Sequence, residues 1–500
     1  MPLSLAPGLR VWHVLVLAFV ARFAAGLASD SALHPDEVMQ YLEQAHRLVF
    51  GPGVVPWEYD FGTRSWAPTL LIAAVLEAVK LVHLDSPQIY QPIVKAVLCA
   101  ASLTVPYCAY RLTRTLVSED AAWLALVFTS FWYELVSYGH RSTVDAMAAY
   151  PAFAALALVV SDPRRRTTLA CGALLGLAFV LRFQLAPVLA TIGCVALWRW
   201  RARALYTVAA ALLVVILGGA LDAYTWGSWF ASIVNSLQYN LGLDLARRFG
   251  TQPPYWYART LVTLSGGLAL LGALGLLVSW RRLFPLLAVA IVTIAYFSSV
   301  AHKETRFVFL VVPLWLIGLA ALVADGERLF SKVLPRARRL LPALRPLVMA
   351  GFVVVSVLGL FDRLPFSRGY TNPHLRRDQT RAAYRAIAEE RDVVAVLDLS
   401  GSSGWFLTPY YDLHHDVPLY YRLVTGYREA RLNPRRYASH VIMPSENAGP
   451  SGFRALKRVG RLTIWRRIAD PPFTDEPLGY EPRIAALQPV PTPPTVTPRW

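Results

Sequence analysis

The sequence predicts an all-α polytopic membrane protein that carries a small α/β domain near its C-terminal end. Three observations predict it. The 500 residues are 55% hydrophobic and only 16% charged, with a mean hydropathy of +0.42, a balance suited to lipid rather than water. Apolar runs long enough to be membrane spans recur from residue 11 to residue 361. After residue 361 the composition changes to short β-type runs between polar segments. The net charge of +17 would suggest nucleic acid in a soluble chain. Here the arginines cluster in short loops between apolar runs, which is the positive-inside pattern, and no nucleic-acid partner is expected.

Spans need about 20 mostly apolar residues. They are expected at 11–28, 91–110, 120–137, 146–161, 167–185, 186–198, 205–221, 259–279, 283–300, 307–324 and 346–361, eleven in all. The first has signal-peptide features: Arg10 before the apolar run and Gly26-Leu27-Ala28 after it. Arg22 interrupts the run, and an uncleaved span with Arg22 snorkelling to the outer headgroups is the expectation. The 15 Trp and 23 Tyr suit interfacial belts. Cys99, Cys108, Cys171 and Cys194 all lie in apolar runs and read as buried structural thiols.

The apolar run 67–84 is assigned to a juxtamembrane or re-entrant helix. Glu77 and Lys80 within it would be costly in hydrocarbon. A full crossing there would also turn outward the clusters Arg111/Arg114, Arg164–Arg166, Arg199/Arg201/Arg203, Arg281/Arg282 and the Arg-rich 328–345. With 67–84 held at the surface, all five are cytoplasmic. The outer loops are then 29–66, 138–145, 222–258, 301–306 and everything after 361. In the last region 375–391 reads as helix, and 393–397, 437–443 and 462–466 read as strands. The expected domains are 1–361 in the membrane, 362–470 as an extracytoplasmic α/β domain, and 471–500 as a Pro-rich disordered tail.

The unusual polar groups fall in the outer loops. His34-Pro35-Asp36-Glu37 is followed by Gln40, Glu43 and His46, then by Trp57-Glu58-Tyr59 and Arg64-Ser65. Adjacent carboxylates raise one another's pKa, which suits a general base with a partner that orients an acceptor hydroxyl. The same acids would also serve as N-cap and first-turn residues of the next helix. Asp36 is preferred as the base because Pro35 restricts its backbone, and Glu37 is the rival.

A second group, His302-Lys303-Glu304-Thr305-Arg306-Phe307, clusters cations on the side where topology does not ask for them. His302, Lys303 and Arg306, with Arg141 and Arg182, are expected to hold a phosphate. Arg182 stands in an apolar run and requires a polar partner or an outer headgroup. Polar contacts to the substrate are assigned to His34, Glu58 and Arg64 of the first loop, to Asp145, and to Asp222, Tyr239 and Asn240 of the aromatic and amide-rich 222–258 loop. Acids, phosphate-binding cations and an aromatic-amide surface on one face fit transfer from a phosphate-linked lipid donor to a hydroxyl acceptor. No Gly-rich phosphate loop, Walker motif or zinc spacing occurs, and no metal or cofactor is expected.

These motifs resemble glycosyltransferase family 22, the lipid-phosphate-mannose-dependent α-mannosyltransferases of N-glycan and GPI-anchor assembly. The resemblance runs from His34-Pro35-Asp36-Glu37 with Gln40 and Glu43, through Asp222–Gly227, Trp229, Tyr239-Asn240 and Phe249-Gly250-Thr251, to His302-Lys303-Glu304 with Arg306-Phe307. It implies a GT-C fold, a polyprenyl-phosphate-linked mannose donor, a lipid-linked or glycan acceptor, inversion, and no metal. In that fold a first-loop acid is the base. Asp145 departs from the family, which often carries Asn there, and the C-terminal 140 residues show no match. A same-fold protein O-glycosyltransferase or lipid-modifying transferase would share the acid and cation logic without the 302–307 hexamer. A lipid-linked-sugar transporter would place charges at mid-span and show repeat symmetry. The Ala/Arg/Pro-rich composition suggests a GC-rich bacterial source, hence an inner membrane with its chemical face periplasmic; in a eukaryote the endoplasmic reticulum membrane would replace it.

Overall fold

The computed structural model describes residues 10–29, 32–333, 341–361, 378–400, 410–421 and 438–468. The expected tail 471–500 lies outside them. The chain forms two compact units. One comprises Met1–Gly26, Lys95–Ala223 and Ser236–Leu375; the other comprises Leu27–Val94, Tyr224–Asn235 and Arg376–Trp500.

The first unit is helical, and the apolar runs read from the sequence fall on helices. Among the described residues, four helical stretches are long and apolar enough to cross a membrane: Val11–Ala28, Pro87–Leu116, Phe183–Trp226 and Trp280–Ser299. The third holds two of the expected spans, Ala186–Trp200 and Ala204–Trp226. They are joined by a turn in which Arg201 takes φ +52°. Val144–Val159, Val311–Ala324 and Arg345–Leu360 are shorter apolar helices. The straight span expected at 259–279 is instead Trp256–Leu264 and Leu268–Val278, bent by 111°. Gly266 (φ +57°) and Gly267 (φ +88°) permit that reversal, since L side chains rarely adopt such angles.

Small residues set the closest helix contacts in this unit. A Cβ on Gly275 would stand 1.9 Å from the Gly318 carbonyl oxygen, and one on Gly272 would stand 2.3 Å from that of Trp315. Leu268–Val278 and Val311–Val333 therefore meet backbone to backbone. In lipid, where apolar burial does not drive association, such close approach does.

Arg22 corrects an expectation. It does not snorkel but is wholly buried. Its Nη1 donates to the carbonyls of Ser130 (2.8 Å) and Ala18 (3.1 Å), and its Nη2 donates to that of Thr129 (3.1 Å). The reason lies in the neighbouring helix, Glu119–Phe131, which ends because Trp132 turns extended (ψ +129°). The final carbonyls of a helix lack intrahelical partners, and away from water they must find donors. The Arg22 guanidinium supplies several. Gly139 leaves space for it, since a Cβ there would lie 2.7 Å from Arg22 Cδ.

The second unit holds the first loop and an α/β fold. Its sheet has the order β2-β1-β3-β5-β4, with β1 Val396–Asp398, β2 Leu419–Tyr421, β3 His440–Pro444, β4 Phe453–Val459 and β5 Leu462–Arg467. β1 is parallel to β2 and β3, and β5 runs antiparallel to β3 and β4. β1, β3 and β5 match three expected strands. β2 has only three residues, and β4 is a charged edge strand without apolar alternation, so neither shows in the sequence. The expected helix at 375–391 is Gln379–Ile387, capped by Asp378, whose carboxylate accepts the Thr380 N–H at 2.9 Å. Val38, Met39 and Val54 of the first loop share one core with Tyr384, Ile387, Val396, Leu419, Ile442 and Ile464. Ala67–Leu81 forms a 15-residue helix with Ile72, Ala73, Leu76 and Val79 buried. Its Lys80 reaches the Val49 carbonyl at 2.6 Å.

Replacing Arg22 by Met should remove the donors of Thr129 and Ser130 while keeping most of the side-chain volume. Two buried carbonyls left unpaired should cost about 1–3 kcal/mol each, read as an earlier thermal transition in detergent. An unchanged transition would show that the clamp contributes nothing.

Candidate active site

The first group of candidate residues sits on the first loop, in the second unit. A π-helical segment, Glu37–Leu42, continues into the α-helix Glu43–Phe50. Such wide turns occur often at functional sites. Here the Gln40 carbonyl accepts the Tyr59 hydroxyl at 2.8 Å.

The carboxylates of this loop have different surroundings. Glu37 is buried and accepts the Leu33 N–H. Glu43 is fully buried and accepts three backbone N–H groups, from Val54 (2.7 Å), Tyr410 (3.1 Å) and Tyr411 (3.0 Å). Burial pushes Glu43 up to about 7 against the pull of those donors. Glu58 accepts from Gln40 Nε2 at 2.6 Å, and Gln40 Oε1 in turn accepts from Arg64 Nε at 2.8 Å. Burial, and next the charge of Asp36, raises the Glu58 carboxyl. Asp36 stays partly open, 17% exposed, with His34 Nδ1 at 3.1 Å from its Oδ1, and Asp60 at the end of the short helix Trp57–Asp60 is also only partly buried. The floor of the loop is aromatic: Tyr59, Trp66 and Trp226 are buried side by side, and Trp226 Nε1 donates to the Arg64 carbonyl at 3.0 Å.

The second group lies in the first unit and is built around Asp145 and Glu304. Arg182 ends the helix Arg165–Leu181 in an extended conformation (φ −150°), which aims its Nη1 at Asp145 Oδ1, 2.7 Å away. Arg182 thereby has the partner its apolar setting requires. Arg306 Nε lies 2.6 Å from Glu304 Oε2 and 3.7 Å from Asp145 Oδ2. His302 Nε2 lies 2.9 Å from Glu304 Oε1, and its Nδ1 lies 2.9 Å from the Gly250 carbonyl. The Glu304 hydrogen bond holds the His302 imidazole above its ordinary pKa. Lys303 Nζ donates to the Gln252 carbonyl at 2.9 Å and also to that of Val300. Desolvation lowers its pKa. The Arg182 guanidinium stacks 4.9 Å from the Phe307 ring centroid.

Arg141 is buried in the same unit. Asp222 is buried in the last turns of Ala204–Trp226, inside a helix rather than in the loop expected to begin there. Tyr239 and Asn240 fall on a π-helical turn, Gln238–Gly242, where Asn240 Nδ2 donates to the Ser236 carbonyl at 2.7 Å. Among the described residues, no three His, Cys, Asp or Glu side chains are grouped as metal ligands. Tyr410 and Tyr411, which hold Glu43 through their main chain, were not legible as partners, because 367 residues separate Tyr410 from Glu43.

The fold and these groups define a polytopic membrane protein of the GT-C class. The chain is similar to the crystal structure of ArnT from Cupriavidus metallidurans bound to undecaprenyl phosphate, with a TM-score of 0.56 at 14% identity, covering 92% of this chain and 98% of that one. At that identity the likeness concerns the fold. The chain belongs to the Alg9-like mannosyltransferase family, whose model matches residues 12–377. It is 28% identical to GPI mannosyltransferase 3 of Yarrowia lipolytica over 333 residues, 64% of each chain. It is 26% identical to GPI mannosyltransferase 3 of Trypanosoma brucei brucei over 409 residues, 70% of this chain and 71% of that one. The chain thus spans about two thirds of the length of these curated relatives.

The His302–Glu304 pair gives a pH dependence of stability. A histidine raised above its ordinary value of about 6.5 contributes fully below that pH and loses its contribution as pH rises through the folded value. The thermal transition of the native chain should therefore exceed that of His302→Gln by more at about pH 6 than at about pH 9. An equal or larger gap at the higher pH would contradict the assignment.

Proposed function

We propose that this chain is an integral-membrane mannosyltransferase that moves mannose from a polyprenyl-phosphate donor to a hydroxyl of a lipid-linked or glycan acceptor, with inversion. Family membership supports the reaction class. The observation that carries the mechanism is the division of labour among the first-loop acids. Glu37 and Glu43 are committed to backbone N–H groups and Glu58 to Gln40, whereas Asp36 keeps part of its surface open.

Asp36 is the base. As the phosphate leaves the anomeric carbon, the acceptor hydroxyl becomes acidic and passes its proton to the Asp36 carboxylate. The phosphate is a stabilised leaving group and asks for little acid assistance. His34 Nδ1 accepts the Asp36 backbone N–H at 3.2 Å and so helps fix the main chain that carries the carboxylate. Arg182, Lys303 and Arg306 outnumber Asp145 and Glu304 and leave an excess of positive charge. That excess, with Arg141 and His302, neutralises the donor phosphate. Asp145 and Glu304 hold the guanidinium groups in register so that they need not be ordered when the donor arrives. His34, Glu58, Arg64, Asp222, Tyr239 and Asn240 contribute polar contacts to the bound substrates. The arginine distribution supports an extracytoplasmic position for the loops that carry these residues.

Asp36→Asn keeps size and hydrogen bonding but removes basicity. It should lower turnover by about 10² or more with donor affinity intact. Arg306→Ala should do the reverse, weakening donor binding by about 1.5–3 kcal/mol, roughly ten- to a hundredfold. Transfer assays and donor titrations in nanodiscs separate the two effects. Near-normal turnover in Asp36→Asn beside a dead Glu37→Gln would exchange the roles of the two acids, and unchanged donor affinity in Arg306→Ala would remove it from the phosphate site.

A further inference from the structure

We propose that Glu43 is a positioning residue for the reaction, and that the C-terminal α/β fold serves through it to set the attitude of the Asp36-bearing loop. The inference rests on the reading of Asp36 as the base. It also accounts for a C-terminal region that the sequence leaves without a role.

Glu43 follows directly on the π-helical segment that begins after Asp36. Both of its oxygens are used: Oε1 accepts from Val54 N and Tyr410 N, and Oε2 accepts from Tyr411 N. Its donors come from the first loop and from the segment 410–413, so one buried carboxylate joins the two. That segment is itself fixed. The next residue, Asp412, is fully buried and accepts from Arg381 Nε (2.6 Å), Arg385 Nη1 (3.1 Å) and Gln91 Nε2 (2.9 Å). The Tyr411 carbonyl accepts the Tyr90 hydroxyl and, at 3.2 Å, Gln91 Nε2. One helical turn beyond Glu43, His46 Nε2 meets His414 Nδ1 at 2.9 Å.

The apolar contacts point the same way. Val38 and Met39, two and three residues beyond Asp36, are buried in the core formed by Tyr384, Ile387, Val396, Leu419 and Ile464. Between Met39 and Glu43 lies Gln40, whose amide links Glu58 to Arg64. Displacing Glu43 would therefore shift the same helix that carries Asp36 and the Gln40 relay. A carboxylate rather than an amide is required. All three partners are N–H donors, and a Gln would present its own N–H₂ to at least one of them.

The test uses the full chain in nanodiscs, with hydrogen exchange and steady-state transfer measured together. Glu43→Gln should raise amide exchange across residues 33–42 by about tenfold or more while leaving that of Val311–Val323 unchanged. It should lower kcat by about tenfold with donor KM within about twofold, because a displaced base affects chemistry more than donor capture. Glu43→Asp should recover part of kcat. In an Asp36→Asn background the further loss from Glu43→Gln should fall to about twofold or less, since a residue that acts through the base has nothing left to position. If Glu43→Gln does not give monodisperse protein, Arg385→Met loosens the same segment through Asp412 and takes its place. Unchanged exchange at 33–42, raised exchange with normal kcat, or full additivity with Asp36→Asn would each overturn the proposal. Near-normal turnover in Asp36→Asn alone would instead sink the base assignment, while the exchange result for Glu43 would still stand.

Discussion

A carboxylate removed from water must collect hydrogen-bond donors, and Glu43 meets that requirement with backbone N–H groups from both ends of the chain. Much of the second unit follows from this constraint. The donors at Tyr410 and Tyr411 must be held still, which Asp412, Arg381, Arg385 and Gln91 accomplish. The loop that carries Glu43 must then pack against the α/β fold, which Val38 and Met39 accomplish. What emerges is a loop in which Glu37, Glu43 and Glu58 are committed to structure while Asp36 stays partly open.

The same rule operates in the first unit with the opposite sign of charge. Arg22, Arg182 and Arg306 lie where an unpaired guanidinium would be expensive, and each is paired. Arg22 completes the carbonyls of a broken helix; Arg182 and Arg306 lean on Asp145 and Glu304. Arg22 finds only neutral carbonyls and is spent on structure. The cluster at 145, 182 and 302–306 holds more cations than carboxylates, and an anion would balance it. Burial of Lys303 and the Glu304-bound His302 keeps that surplus rigid rather than spread over mobile side chains.

The sequence made local and compositional features legible. Apolar runs located the helices, and the excess of arginine on one side of them singled out the 302–307 hexamer as unusual. Glu77 and Lys80 set the run at 67–84 apart in the sequence, and the structure makes it a 15-residue helix, Ala67–Leu81, whose Lys80 donates to the Val49 carbonyl. Features that depend on distant acceptors were hidden. Arg22 reads as a snorkelling residue unless one knows that Trp132 breaks a helix more than 100 residues away and strands the Thr129 and Ser130 carbonyls. The reversal at Gly266-Gly267 sits in an apolar stretch whose composition is that of a straight helix. The pairing of Glu43 with Tyr410 and Tyr411 leaves no local trace, because main-chain donors carry no residue signature. Short β2 and charged β4 escaped for the related reason that pairing, not periodicity, makes them strands.

The central claim, that this chain transfers mannose from a polyprenyl-phosphate donor, is tested most directly by supplying that donor. Purified protein in nanodiscs would receive polyprenyl-phosphate mannose labelled in the sugar, together with an extract of membrane lipids as acceptors, and the labelled products would be separated and their anomeric configuration read. The account predicts that label leaves the donor and appears in a larger glycolipid or glycan with its anomeric configuration inverted. Label that crosses the bilayer while still attached to the polyprenyl phosphate, or that is transferred with retention, would contradict it.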